Sequence, residues 1–395
     1  MKSIPYGKQY LDKEDLQYLN KAAKQDLITS GKSVKIFENK VSKFLKSKYV
    51  LACNSGTAAI HLALIAVNLR KGDIVIMPSI NFIAAYSMCK LIGAKVFLAD
   101  VDCESGQLNY ETLLNCIKKN KLKKVKVVIN MYMGGYPNHV QEFIKLKKKY
   151  KFYLIEDACH AFGSSYKVKN RKIKIGSCKH CDISTFSLHP VKTFTTGEGG
   201  LVSTNNNKFY KELLKYRSHG IDKSPSIYWK YNINKLGFNY RLSDINCALG
   251  ISQLKKVKKF VKDRERVFKI YKNLINKYAK YFKLVTFKKS ISPSYHLLLI
   301  NIDFTKLNIL KDDLIKHLNK KNIFPQYHYI PLYKFSSFED KKQTKFRGAE
   351  IYYKNTLSLP IFFNLDYKSI KKIVQSVSDF LINNSKNKPM IEKLL

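Results

Sequence analysis

Short apolar runs alternate along the first two-thirds of the chain with longer segments whose apolar residues recur every three or four positions. The runs at 73–77, 95–100, 126–131, 153–157, 182–188 and 200–204 are too short for helices and rich in Val, Ile, Leu and Phe, so they read as buried strands. The periodic segments between them read as amphipathic helices. This βα rhythm predicts an α/β fold with a mainly parallel sheet covered on both faces. From Ser243 the pattern changes to a helix through Gln253, a long lysine-rich helix to about Phe282, and then sparse strands at 296–302 and 323–329 with helices. The shift predicts a large domain over 1–245 and a smaller α+β domain over 246–395. The length of 395 residues agrees, since single cores rarely grow beyond about 250–300 residues.

No stretch resembles a signal peptide or is apolar for long enough to span a bilayer, so a cytoplasmic protein without a membrane partner is expected. The eight cysteines fit a reduced setting. Cys178 and Cys181 form half of a zinc-like pattern without a second pair at suitable spacing, and no metal site is expected.

Charge adds a distraction. Lys and Arg total 72 against 29 acids, a net charge of +43, and a field of that sign attracts nucleic acid non-specifically. Few of these bases are Arg. Lys is accompanied by abundant Ile, Asn, Tyr and Phe, a bias that follows A/T-rich codons, and the basic residues are spread along helix faces and loops. They read as solvated surface, without a specific nucleic-acid partner. A non-enzymatic nucleic-acid-binding protein would account for the charge but would leave the following residues without a purpose.

Lys192 stands among small, hydroxyl and glycine residues, after the strand at 182–188 and before the Thr195-Thr196-Gly197-Glu198-Gly199-Gly200 turn. Burial there lowers an ammonium's pKa and frees the amine to form a Schiff base with an aldehyde cofactor such as pyridoxal phosphate. Ser55, Gly56 and Thr57 follow an apolar run and open a helical segment reaching Val67. Such a turn delivers unpaired N–H groups and a helix dipole to a phosphate, although an ordinary capped helix has the same pattern. Glu156 and Asp157 end the strand at 153–157, the end of a parallel sheet at which ligands bind.

These motifs, in this order, resemble the DegT/DnrJ/StrS family of sugar-nucleotide aminotransferases, whose lysine motif reads Ser-Phe-His-x-x-Lys followed by Thr-x-Gly-Glu-Gly-Gly. Leu188 here replaces the phenylalanine. Further matches at 28–32, Glu38, 217–220, 237–244 and 326–331 extend the resemblance over nearly the whole chain. It implies a fold-type-I enzyme with pyridoxal 5′-phosphate as cofactor and L-glutamate and a nucleotide-linked 4-keto-6-deoxy sugar as substrates. It also implies roles: Lys192 and Asp157 catalytic, with Asp157 on the pyridine nitrogen; Phe82 stacked on the ring; His160 near the phenolic oxygen; Ser55, Gly56, Thr57 and Ser187 on the phosphate. Asn239 would reach the phosphate of the other subunit, which makes a homodimer with shared active sites. Thr29, Ser30, Gly31, His219, Arg241, His328 and Tyr329 would line the substrate pocket. Within the family, the 187–192 and 217–220 segments are most similar to the pseudaminic acid branch, while perosamine synthases share the cofactor site. A sister branch that removes a hydroxyl carries histidine in place of the lysine, and Lys192 argues against it.

Overall fold

The computed structural model describes residues 3–223, 226–227, 229–288, 290–338 and 346–386. Seven strands form the central sheet: β1 (Tyr49–Cys53), β2 (Ile74–Pro78), β3 (Lys95–Ala99), β4 (Val125–Met131), β5 (Tyr153–Asp157), β6 (Ile183–Ser187) and β7 (Gly200–Thr204). Their order is β1-β7-β6-β5-β4-β2-β3, and every pairing is parallel except those of β7, which runs antiparallel to both β1 and β6. All six strands expected from the apolar runs are present, with ends shifted by one residue at most.

The period of two along each strand separates two core layers. Leu51, Val127, Ile129, Ile155 and Val202 face a layer that includes the helix Gly56–Ala66. Val50, Ala52, Phe186 and Leu201 face the helix Lys32–Leu45 and the long helix Asp244–Ile275. A third core gathers around a small antiparallel sheet of Lys283–Leu284, Leu298–Asn301 and Thr356–Leu359, with Leu314, Ile370 and Val377 from two later helices.

The structure corrects two features of the C-terminal reading. The expected pair of helices after Ser243 is one continuous helix, Asp244–Ile275. No Gly or Pro interrupts it beyond Gly250, and Leu254, Val257, Phe260, Arg264, Val267, Tyr271 and Ile275 form one buried stripe at helical spacing. Its first half packs in the core of the large sheet and its second half in the third core. The expected boundary at 245 therefore coincides with the start of a helix that serves both. The expected strand at 323–329 is only Ile323–Phe324, paired in parallel with Ile4–Pro5. Pro325 has no N–H to continue the ladder, and beyond it only Gln326 pairs, bridging Ser358. The hairpin of Ser165–Val168 and Arg171–Lys174 was not anticipated.

The loop at 29–31 is fixed by a buried carboxylate. Asp244 accepts the N–H groups of Gly31 and Ser33, both at 2.7 Å, at the start of the helix Lys32–Leu45. Arg217 ion-pairs with Glu38, which also accepts the Ala52 N–H at 2.8 Å, tying the 217–220 segment to β1.

Candidate active site

The C-terminal ends of β1, β5 and β6 converge. After β6 the chain makes a closed loop back to β7: the Leu188 N–H donates to the Gly199 carbonyl at 2.8 Å and the Thr195 hydroxyl to the Leu188 carbonyl at 2.8 Å. Lys192 rides on this loop, its N–H bonded to the His189 carbonyl at 2.9 Å. After β1, the Ser55 hydroxyl accepts the Ala58 N–H at 3.0 Å and caps the helix Gly56–Ala66, leaving the first-turn donors of Gly56 and Thr57 outside the cap. Two glycines permit this convergence. A Cβ on Gly200 would lie 2.1 Å from the Ser55 carbonyl oxygen, and one on Gly56 would lie 2.9 Å from the Ser187 Cβ.

The strand ends surround a cavity of about 510 Å³, within the range of small-molecule sites. Ser55, Gly56, Thr57, Phe82, Asp157, His160, Ser187 and Lys192 all line it, as do His328 and Tyr329. Phe82 leaves half its surface exposed, at 52%, and presents an aromatic face to the cavity. The other expected residues lie away from this cavity. Thr29, Ser30 and Gly31 lie beside the start of the long helix, where Thr29 bridges Ser243. Asn239 bridges Ser218, and its carbonyl accepts the Asn54 side-chain amide at 3.2 Å. His219 is exposed and Arg241 half-buried.

Electrostatics in the cavity follow from burial. Asp157 is 3% exposed; burial pushes its carboxyl up from the usual carboxylate range, opposed by hydrogen bonds from Cys159 and by the Lys192 charge. Burial lowers the Lys192 ammonium, opposed by Cys159 and Asp157. His160 and His296 are pushed well below the ordinary histidine value by burial and then by the Lys192 charge, and His328 falls to about 3 for the same reasons. The wall facing Lys192 is thus a set of neutral imidazoles.

Sequence reasoning missed several lining residues: Tyr6, Asn81, Cys159, His296 and Gln326. Cys159 and Gln326 lay next to recognised residues. Tyr6 and His296 come from segments far away along the chain; His296 adjoins the apolar run 297–300, and nothing local singles out Tyr6. The Cys178 and Cys181 thiols are buried beside β6, where Cys178 Sγ donates to the Ser203 carbonyl at 3.1 Å and Cys181 Sγ lies 3.2 Å from the Ser184 hydroxyl. Among the described residues no group of three His, Cys, Asp or Glu side chains could hold a metal ion.

The sequence profile of the DegT/DnrJ/EryC1/StrS aminotransferases matches residues 9–378. The chain belongs to that family. It is a pyridoxal phosphate-dependent sugar aminotransferase of fold type I. It is 34% identical over 381 residues to the UDP-4-amino-4,6-dideoxy-N-acetyl-beta-L-altrosamine transaminase of Campylobacter jejuni strain 81-176, covering 96% of this chain and 97% of the relative. It is 29% identical to the GDP-perosamine synthase of Escherichia coli O157:H7, over 96% of this chain and 99% of that one. Among solved structures it resembles the Helicobacter pylori aminotransferase PseC, involved in the biosynthesis of pseudoaminic acid, with a TM-score of 0.87 and 27% identity over 98% of this chain and 100% of that one.

The cavity fits the family's cofactor on its own chemistry. An amine, a buried carboxyl, an aromatic face and a helix N-terminus flanked by hydroxyls are the partners that an aldehyde, a pyridine nitrogen, a ring and a phosphate require. The Gly200 contact can be tested directly. Gly200→Ala must push the 55–57 turn aside, so it should cost roughly 1–3 kcal/mol in denaturant unfolding and weaken pyridoxal phosphate binding measured by fluorescence. Unchanged stability and cofactor affinity would mean that the close approach does not shape the site.

Proposed function

We propose that this aminotransferase moves an amino group from L-glutamate to the 4-keto group of a UDP-linked 4-keto-6-deoxy sugar, giving UDP-4-amino-4,6-dideoxy-N-acetyl-beta-L-altrosamine. The observation that carries the chemistry is the placement of Lys192 and Asp157 in one cavity, close enough for their charges to interact. The sugar is supported by the names of relatives at 30–34% identity from Campylobacter jejuni and Helicobacter pylori.

The cofactor, when bound, would supply an aldehyde that accepts the amino group and a ring that accepts electrons. The protein's part follows from its residues. Lys192, its amine freed by burial, would hold the cofactor, and as a free amine it would take the proton from the donor's α-carbon and give a proton to the sugar carbon. Asp157 would hold a proton at the pyridine nitrogen; burial alone disfavours its carboxylate, and a cationic partner would reverse that preference. Phe82 would stack on the ring, and His160 would stand on the side of its phenolic oxygen. Ser187, Ser55, Thr57 and the N–H groups of Gly56 and Thr57 would hold the phosphate.

The substrate test is a panel of UDP-, GDP- and dTDP-linked 4-keto-6-deoxy sugars with glutamate as donor. The UDP-linked N-acetyl sugar should give the highest kcat/KM. Preference for the GDP-linked sugar would favour perosamine synthesis, which the 29% identical Escherichia coli relative represents. Amination of none would refute the sugar assignment.

The same reading includes a cytoplasmic homodimer and a large and a small domain meeting at the long helix. In the dimer Asn239 crosses to the partner's cofactor phosphate, and Thr29, Ser30, Gly31, His219 and Arg241 join His328 and Tyr329 around the substrate. The dimer is supported by exposed apolar side chains along the 229–238 segment that leads to Asn239, where Trp229 is 70% exposed and Leu236 87%. Exposed apolar side chains grouped in one segment suit an association surface. Mixing an inactive Lys192→Ala chain with an inactive Asn239→Asp chain should restore a fraction of wild-type activity, because one site of the mixed dimer collects both lesions and the other neither. If heterodimers form and no activity returns, Asn239 does not serve the neighbouring site.

A further inference from the structure

The cavity wall opposite Lys192 contains a hydrogen-bond chain whose direction can be worked out. The Gly134 N–H donates to His160 Nδ1 at 3.3 Å, and His160 Nε2 lies 2.9 Å from the Tyr329 hydroxyl. A backbone N–H can only donate, so Nδ1 must present its lone pair. The ring is neutral: it is 1% exposed, packs at a centroid distance of 4.3 Å from His296 and 6.0 Å from His328, and feels the Lys192 charge, all of which disfavour an imidazolium. A neutral imidazole with its lone pair on Nδ1 carries its proton on Nε2. That proton is donated to the Tyr329 oxygen.

The consequence falls on Tyr329. Its oxygen accepts from His160, so its own proton must point elsewhere, and among the described residues no second hydrogen-bond partner is recorded for that hydroxyl. The ring lines the cavity, 5.8 Å from Phe82 between centroids. We infer that Tyr329 is a one-way hydrogen-bond donor aimed into the cavity at an oxygen of the bound ligand, and that His160 is the positioning residue that fixes its direction. This rests on the proposed aminotransferase reading and deepens it. His160 acts through Tyr329, and the group delivered to the ligand is a phenol. Burial holds that phenol protonated well beyond its ordinary range, so the donor persists across working pH. The accepting oxygen belongs either to the cofactor's phenolic group or to the nucleotide-sugar.

Tyr329→Phe removes the donor and keeps the ring, and two readouts separate the sources. The first is the pH midpoint of the visible band of the pyridoxal phosphate-loaded protein without sugar. The second is kcat and KM for the UDP-linked 4-keto sugar. A midpoint raised by about one pH unit, the scale of one hydrogen bond to a charged oxygen, assigns the cofactor. An unchanged midpoint with kcat/KM lowered about tenfold or more assigns the sugar. No change in either readout overturns the inference. The role of His160 is read from a double-mutant cycle. Tyr329→Phe should have a much smaller effect in a His160→Leu background, whereas His160→Gln, which keeps an N–H donor, should largely retain the Tyr329 effect. An equal effect of Tyr329→Phe in the wild-type and His160→Leu backgrounds would overturn the positioning role. The band measurement needs no sugar, so failure of the substrate panel and failure of this inference are distinguishable.

Discussion

A lysine amine and an aspartic carboxyl share one cavity at the end of a sheet, and desolvation is the constraint on everything around them. Each is driven toward its neutral form by burial, and each supports the charge of the other. The neighbours respect this balance. His160, His296 and His328 add no positive charge because the same burial and the same lysine keep them neutral. The glycines at 56 and 200 let three strand ends approach closely enough to enclose the site. Phe82, half exposed on the rim, is the face that a planar ligand would cover.

The large positive charge belongs to another layer of the molecule. Many of the lysines reach solvent, and pairs such as Lys269–Glu265, with side chains 68% and 39% exposed, contribute little to stability. The scarce acids do more inside. Asp244 holds the N–H groups of Gly31 and Ser33, Asp100 those of Val101, Gly348 and Ala349, and Glu38 joins Arg217 to β1. Acids thus fix loops around the sheet while the lysines supply a field that favours an anionic nucleotide-sugar over distance.

Much of this was legible from residues alone, for physical reasons that differ by region. The parallel strands are buried on both faces, so they stand out as apolar runs, and their loop motifs are local in sequence; that is how Lys192, Asp157 and the 55–57 turn came to be expected at one end of a sheet. The C-terminal part was harder. The long helix takes its apolar stripe into two cores, and the change of partner along it imitates a break. The strand expected at 323–329 failed because Pro325 interrupts the ladder after two residues. Tyr6 and His296 reach the cavity only through long-range packing, which no local spacing encodes. Asn239, Thr29 and Arg241 lie outside the cavity of their own chain, and the proposed dimer would give them a place.

Lys192 is proposed as the one amine to which the cofactor attaches. Borohydride reduction of the cofactor-loaded protein, followed by peptide mapping in a mass spectrometer, tests it most directly. A single stable adduct is expected, on Lys192, that disappears in Lys192→Ala. An adduct on any other of the chain's many lysines, with Lys192 unmodified, would contradict it.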